Sequence, residues 1–267
     1  MDLVTVGHQR AARSRDDLRL APGEVFLAGG SWLFSEPQPA VEGLVDLTTM
    51  GWQPCTVDSS GLSIAATCTV AELLDVAARH DWASQPLFRQ CAEAFLMSFK
   101  IWATATVGGN LCLALPAGAM ITLAVALDAE VVVWTPDGGE RREPVAAFVT
   151  GVGSTTLAHG EVLRGVEVPA EALASRTAFR KMALTPLGRS SAVVTGRVDP
   201  AGRSTVTVTA ATTRPVVVRL DAGPDADVVA AALAAADAWY DDPHGPADWR
   251  EHVTGLLVRE VCAELGS

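Results

Sequence analysis

Two glycine pairs are the residues of this chain best suited to hold a ligand. Gly29-Gly30 lies in Leu27-Ala28-Gly29-Gly30-Ser31-Trp32, directly after the apolar run Val25-Phe26-Leu27. Gly108-Gly109 lies in Ala105-Thr106-Val107-Gly108-Gly109-Asn110, after a helical pattern. Glycine lets a backbone approach a ligand closely. Exposed N–H groups in such turns bind anions, above all phosphate. Each pair has a hydroxyl residue beside it, Ser31 or Thr106. A glycine pair alone is most often a plain turn. Two in one domain suggest a pyrophosphate held from both sides.

Other chemistries find little support. Gly151-Val152-Gly153 has no third glycine and no surrounding βαβ unit, so a dinucleotide fingerprint is not expected there. The five cysteines, Cys55, Cys68, Cys91, Cys112 and Cys262, form no Cys-x-x-Cys pair. A zinc site or iron–sulfur cluster usually needs such spacing, so reduced, mostly buried thiols and no metal are expected. Ser31 and Ser154 have no His and Asp arrangement near them for a hydrolase triad. Gly188-Arg189-Ser190-Ser191 reads either as a ligand or partner contact or as a solvated loop. The net charge of -11 argues against nucleic acid and against an anionic membrane surface. No apolar run is long enough for a membrane span, and the first residues are too polar for a signal peptide. A cytoplasmic chain is expected.

At 267 residues with 49% apolar content, the chain can build one large or two small domains. Short strands are predicted at 25–28 and 43–47. Thr69-Val70-Ala71-Glu72 reads as a capping box that starts an amphipathic helix. A second helix carries Phe88, Cys91, Phe95 and Phe99 and ends near Lys100. A third starts at Pro116, with Met120, Leu123, Ala124 and Leu127 on one face. Strands follow at 131–134 and, after Pro136-Asp137-Gly138-Gly139, on the return. Residues 144–148 form a helical turn, and 163–168 a strand. Beyond about residue 170 the composition changes. Strands are predicted at 191–198, 204–210 and 215–220, then helices at 225–237 and from Asp248 to about Leu265. The Thr/Val alternation of 204–210 suits a sheet with one solvated face. The fold class is α+β.

With these elements placed, the chain resembles the FAD-binding medium subunit of molybdenum hydroxylases, as in carbon monoxide dehydrogenase and the flavin domain of xanthine dehydrogenase. The likeness spans nearly the whole chain. It rests on the stretch 27–33, on Ile101 to Asn110, and on Leu115-Pro116-Ala117-Gly118 with Leu127-Asp128-Ala129-Glu130-Val131. Thr156-Leu157 with Gly160-Glu161-Val162-Leu163 also matches, as does Asp241 to Arg250. The chain departs from the family pattern at Trp32, Trp102, Ala103 and Ala119, and after Lys181, where Leu184 and Thr185 replace a basic pair.

The resemblance implies a two-lobed FAD-binding domain of the PCMH type over 1–172, with lobes of about 1–56 and 57–172. A small antiparallel sheet-plus-helices domain would fill 173–267. It implies a non-covalent FAD contacted by Leu27, Ala28, Gly29, Gly30, Ser31, Trp32, Thr106, Gly108, Gly109, Asn110, Leu163 and Lys181. The backbone and hydroxyls of both glycine stretches would cradle the pyrophosphate. It further implies a redox relay in a complex. Electrons would come from a molybdenum large subunit through an iron–sulfur small subunit, in a dimer of heterotrimers. A stand-alone FAD oxidoreductase and an accessory protein that has lost FAD are the alternatives.

Overall fold

The computed structural model describes residues 3–95, 98–236 and 238–267. The first sheet is parallel, with the order β1 (His8–Ala11), β3 (Gly43–Asp46), β2 (Glu24–Leu27). β1 carries three polar residues and gives no apolar signal. Charge pairing across the sheet holds it instead. Glu24 on β2 accepts from Arg10 at 2.8 Å through both carboxylate oxygens and lies 3.0 Å from His8 Nε2. That pairing passes over the middle strand at Gly43, where a Cβ would lie 2.3 Å from the His8 ring. Gly43 leaves the room. The Arg10 guanidinium and the Ala21 N–H hold the Glu24 carboxyl at about 2, below the usual range.

The second sheet is antiparallel. Its strands are β4 (Cys55–Asp58), β5 (Gly61–Ala65), β6 (Glu130–Trp134) and β7 (Glu140–Pro144). After a small hairpin, β8 (Val149–Gly151) and β9 (Ser154–Thr155), comes its central strand β10 (Val162–Pro169). The order is β4-β5-β10-β6-β7. A bulge at Leu163/Gly165 frees Arg164, whose guanidinium lies 4.5 Å from the Trp52 ring and 5.6 Å from Trp134. Val162 shares a core cluster with Ala12, Leu18, Val45 and Leu47, which joins the first sheet to β10.

The helices of this part are α1 (Val70–Ala77), α2 (Gln85–Ala94), α3 (Phe99–Trp102), α4 (Val107–Leu113), α5 (Ala119–Ala126), α6 (Val145–Phe148) and α7 (Ala170–Leu173). α1 opens with the expected capping box: Thr69 Oγ1 accepts from Glu72 N, and the Glu72 carboxylate accepts from Thr69 N. The second predicted helix is shorter than expected. α2 stops at Ala94, Phe95 is extended, and Phe99 belongs to α3 with 73% exposure. Leu96 and Met97, between them, lie outside the described residues. The third predicted helix starts at Ala119 rather than Pro116, and it is buried on every side rather than on one face.

The remaining strands, β11 (Arg176–Met182), β12 (Ala192–Val198), β13 (Ser204–Thr209) and β14 (Val216–Leu220), form an antiparallel meander. α8 (Ala226–Ala236) and α9 (Ala247–Gly266) follow. Asp237, the expected end of the first of these helices, lies outside the described residues. Val194, Val206 and Val208 pack with Val253, Leu257 and Val261 of α9. The opposite face was expected to be solvated and is not. All six residues of β13 are buried. α5 covers the threonine side, where Thr122 and Thr209 share a hydroxyl hydrogen bond of 2.7 Å. Threonine suits this role: it is β-branched, short, and can bond across a helix–sheet contact. Asp128, just beyond α5, pairs with Arg197 and Arg219 of the same sheet.

Candidate functional site

A cavity of about 840 Å³ opens between the two glycine stretches. That lies within the usual range for sites that take cofactors and drug-sized ligands. Its walls are mostly apolar. Of the twelve cofactor contacts that the family resemblance implied, eleven line it: Leu27 through Trp32 from the first stretch, Thr106, Gly108, Gly109 and Asn110 from the second, and Leu163 from β10. Lys181 does not; it sits on β11 opposite Val193. The cation brought to the cavity from that part of the chain is Arg189.

The first stretch leaves β2 at its C-terminal end. Gly30 takes the left-handed conformation, φ 67°, which turns the chain into a short coil. Phe34 N donates to Gly30 O at 2.9 Å and closes it. Among the described residues no protein acceptor takes the N–H groups of Gly30, Ser31, Trp32 or Leu33. They are available to a ligand oxygen. Gly29 serves packing instead: a Cβ there would lie 1.7 Å from the carbonyl oxygen of Thr104, so the two stretches touch at this point.

The second stretch is a helix start rather than a turn, which corrects the expectation from sequence. Thr106 is the N-cap of α4, and its Oγ1 accepts from Gly109 N at 3.1 Å. Val107 N donates to Cys68 O and Gly108 N to Ala66 O, both at 2.9 Å. The backbone N–H groups of Gly108 and Gly109 are therefore spent inside the protein. They do not form the second half of a backbone cradle. The reason is tertiary: the carbonyls after β5 satisfy donors that a short helix leaves open. Gly108 has no room for a Cβ, with three Ala66 atoms at 2.5 to 2.7 Å. Gly109 faces the cavity, and a Cβ there meets only Thr106 Oγ1, at 2.8 Å.

Asn110 lies one residue further along α4. Its Oδ1 accepts from Met120 N at 2.9 Å and Ile121 N at 3.4 Å, and so caps α5. Gly118, the formal N-cap of α5, has no side chain to do this. Leu157, Glu161 and Val162 add a third wall. The Arg141 guanidinium holds Glu161 in a two-point pair, at 2.8 and 2.6 Å, and keeps its carboxyl below the usual carboxylate range.

The segment bearing Arg189 is anchored from two sides. Ser190 Oγ donates to Ala94 O at 3.3 Å, and Ser191 Oγ to His244 O at 2.6 Å. Arg250, 1% exposed, donates to Ser191 O at 2.7 Å and to Gly245 O at 2.8 Å, and pairs with Asp242. Sequence reasoning left the 188–191 segment open between a site and a plain loop. No local signal decides it, because its anchors are distant in the chain. Cys112 also lines the cavity with a free thiol, a residue that the sequence reading did not place there. Among the described residues no histidine lines the cavity, and no cluster of His, Cys, Asp or Glu could hold a metal ion. No described helix is long and apolar enough to cross a membrane.

An apolar slot with neutral donors along one side fits a long, flat cofactor carrying an anionic diphosphate. N–H groups and hydroxyls can hold such a group without a lysine cluster. Comparison with known proteins agrees. The fold matches a carbon monoxide dehydrogenase chain of Oligotropha carboxidovorans with a TM-score of 0.84 at 21% identity, covering 99% of both chains. It matches a chain of quinoline 2-oxidoreductase from Pseudomonas putida 86 with a TM-score of 0.80 at 20% identity, covering 99% of this chain and 98% of that one. A carbon monoxide dehydrogenase chain of Hydrogenophaga pseudoflava gives 0.80 at 21% identity, covering 97% of both. No curated protein matches the chain by sequence. Residues 12–171 match the family described as the FAD binding domain in molybdopterin dehydrogenase, and the chain belongs to that family of flavoprotein oxidoreductases, with FAD as its cofactor.

Proposed function

We propose that this chain is the FAD-carrying electron-transfer subunit of a molybdenum hydroxylase complex. It would pass electrons from iron–sulfur clusters on a partner to an external acceptor such as a quinone, NAD or oxygen. FAD supplies the redox chemistry, and the protein binds and orients it. The observation that carries the reading is the cavity, with the N–H groups of Gly30 to Leu33, which find no acceptor among the described residues, on one side and Thr106 and Asn110 on the other. We assign the diphosphate to this end. Leu27 and Leu163 flank the cofactor along its length. The charged lining residues are Glu161, already paired, and Arg189. Neither is placed as an acid or base, which suits a relay rather than a hydroxylation site.

The division into 1–172, itself in two lobes, and 173–267 belongs to the same proposal. The separate cores on either side of residue 175 support it. So does the partnership with an iron–sulfur small subunit and a molybdenum large subunit in a dimer of heterotrimers, in the cytoplasm. With no metal-ligating cluster among the described residues, electrons need another subunit to arrive from. Native purification should yield a yellow protein whose flavin leaves on denaturation, together with an iron–sulfur protein and a molybdenum protein. A colourless chain that takes up no added FAD would sink the flavin assignment. A chain that purifies alone, or oxidises a hydroxylase substrate unaided, would replace the subunit reading with a stand-alone flavoenzyme.

A further inference from the structure

Cys55 and Cys68 stand 13 residues apart, and no Cys-x-x-Cys spacing announces them. The hairpin of β4 and β5 brings them together. Cys55 opens β4 opposite Ile64, and Cys68 follows the turn beyond β5, where Cys68 N donates to Ala65 O at 2.9 Å. Their sulfurs lie 3.6 Å apart. Among the described residues no other two thiols meet. The two are not equivalent. Cys68 is 1% exposed, while Cys55 is half-buried on the edge strand of its sheet. The hydrogen bond with Cys55, together with burial, raises the Cys68 thiol above its ordinary range. Thiolate character and access decide which thiol reacts first, and both favour Cys55. The backbone around Cys68 is also tied to the cavity wall. Cys68 O accepts from Val107 N and Ala66 O from Gly108 N, both at 2.9 Å, and Thr69 bridges to Thr106. Thr106 and Gly108 line the cavity.

We propose that Cys55 and Cys68 form a reversible, peroxide-driven disulfide beneath α4, and that its formation loosens the cavity's hold on the cofactor. The Cys55 thiolate attacks one oxygen of hydrogen peroxide. An S–O bond forms, the O–O bond breaks, and hydroxide leaves, which gives a sulfenic acid. The Cys68 sulfur then attacks the Cys55 sulfur. An S–S bond forms, the S–O bond breaks, and the Cys68 proton leaves with the hydroxide as water. Overall the two thiols lose two electrons and two protons, and one peroxide becomes two waters. Peroxide is the two-electron reduction product of oxygen, one of the acceptors named above. A small dithiol reverses the step by attack on the accessible Cys55 sulfur. Transient disulfides of this kind are the usual sort inside cells. Bonded sulfurs sit about 2 Å apart, so closing the gap from 3.6 Å draws the Cys68 segment toward β4. The Ala66 and Cys68 carbonyls that seat the first turn of α4 move with it. The effect on the cofactor rests on the FAD reading of the cavity; the cross-link does not.

The test treats the purified full chain with hydrogen peroxide, then with dithiothreitol. Oxidation should remove two of the five free thiols. Digestion should yield one linked peptide pair, Cys55 to Cys68, two hydrogens lighter than the free peptides, and dithiothreitol should restore both thiols. Cys68→Ala should stop at the Cys55 sulfenic acid, which dimedone traps. In fluorescence titrations FAD should bind the oxidised parent about fivefold or more weakly than the reduced parent. Cys55→Ser should bind FAD as the reduced parent does, before and after peroxide. Absence of the linked peptides, or a product that dithiothreitol does not reverse, overturns the disulfide. Equal FAD affinity of the oxidised and reduced parent overturns the coupling to the cavity. So does an equal loss in peroxide-treated Cys55→Ser, which would assign the effect to another thiol such as Cys112. A parent that binds no FAD in either state refutes the cofactor reading and the coupling with it, while the thiol count and peptide masses still decide the cross-link.

Discussion

Gly109→Val tests the proposed diphosphate position at a glycine that faces the cavity. A Cβ at Gly109 meets only the Thr106 hydroxyl, at 2.8 Å, and otherwise points into the cavity. On the protein side the effects nearly cancel. Replacing a helical glycine by alanine recovers about 1 kcal/mol, somewhat less for a β-branched residue, and disturbing the Thr106 cap costs about 1 kcal/mol. The FAD-free variant should therefore melt within a few degrees of the parent. On the ligand side, two methyl groups would occupy the wall to which the proposal assigns the diphosphate and push it off its donors. A loss of about 3 kcal/mol is expected, or more than a hundredfold in Kd. Flavin absorbance after purification and fluorescence titration of the stripped protein measure the second effect; circular dichroism melts measure the first. Gly108→Ala is the contrast. Its Cβ would collide with three atoms of Ala66, so it should destabilise the fold by about 2 kcal/mol or more. If Gly109→Val folds and binds FAD with parental affinity, this face of α4 does not lie against the cofactor and the diphosphate assignment falls.

Three further outcomes follow from the packing. The Glu24 carboxyl titrates at about 2 in the fold against 4.5 unperturbed; its stabilisation is complete above about pH 4.5 and is lost as pH falls toward 2. The bound is roughly 3 kcal/mol, and melts between pH 6 and 3 should show a steeper acid decline than those of Glu24→Gln. Thr195 and Thr207 sit opposite each other on β12 and β13 with buried hydroxyls that find no protein partner, so Thr207→Val should raise the melting temperature, by up to about 1 kcal/mol of stability, whereas Thr122→Val breaks the bonded pair with Thr209 and should lower it. Arg250→Met leaves the Asp242 carboxylate without its cation and the Ser191 carbonyl without the Arg250 donor, and a loss of about 3–5 kcal/mol is expected by denaturant unfolding, together with weaker FAD binding as the Arg189 segment loosens.

What the sequence made legible follows from where each element finds its partners. The strands at 131–134 and 204–210 and the helix from Thr69 could be read because their signals are local: β-branched runs and a capping box that bonds within four residues. β1 and β11 could not. β1 is held by Arg10 and His8 reaching Glu24, and β11 by Arg180 reaching Glu260 and Glu264 on α9. Polar residues that would mark a loop are here the pairing groups, and their partners lie far along the chain. The threonine face of β13 shows the same limit. Alternation reports that two faces differ, not what covers each, and α5 arrives from an earlier segment to cover the polar one. The glycine stretches carry this furthest. Their types and spacing pointed to a ligand between them, and the cavity opens there; eleven of the twelve residues that the family resemblance implied line it. The division of labour among them was not readable. Whether a given N–H is free depends on which carbonyls stand beside it: Ala66 O and Cys68 O consume those of α4, while nothing in the described protein consumes those of Gly30 to Leu33. A motif therefore names the place where an anion can be held. The hydrogen-bond account of the folded chain decides which of its donors remain to hold it, here the backbone of the first stretch and the side chains of the second.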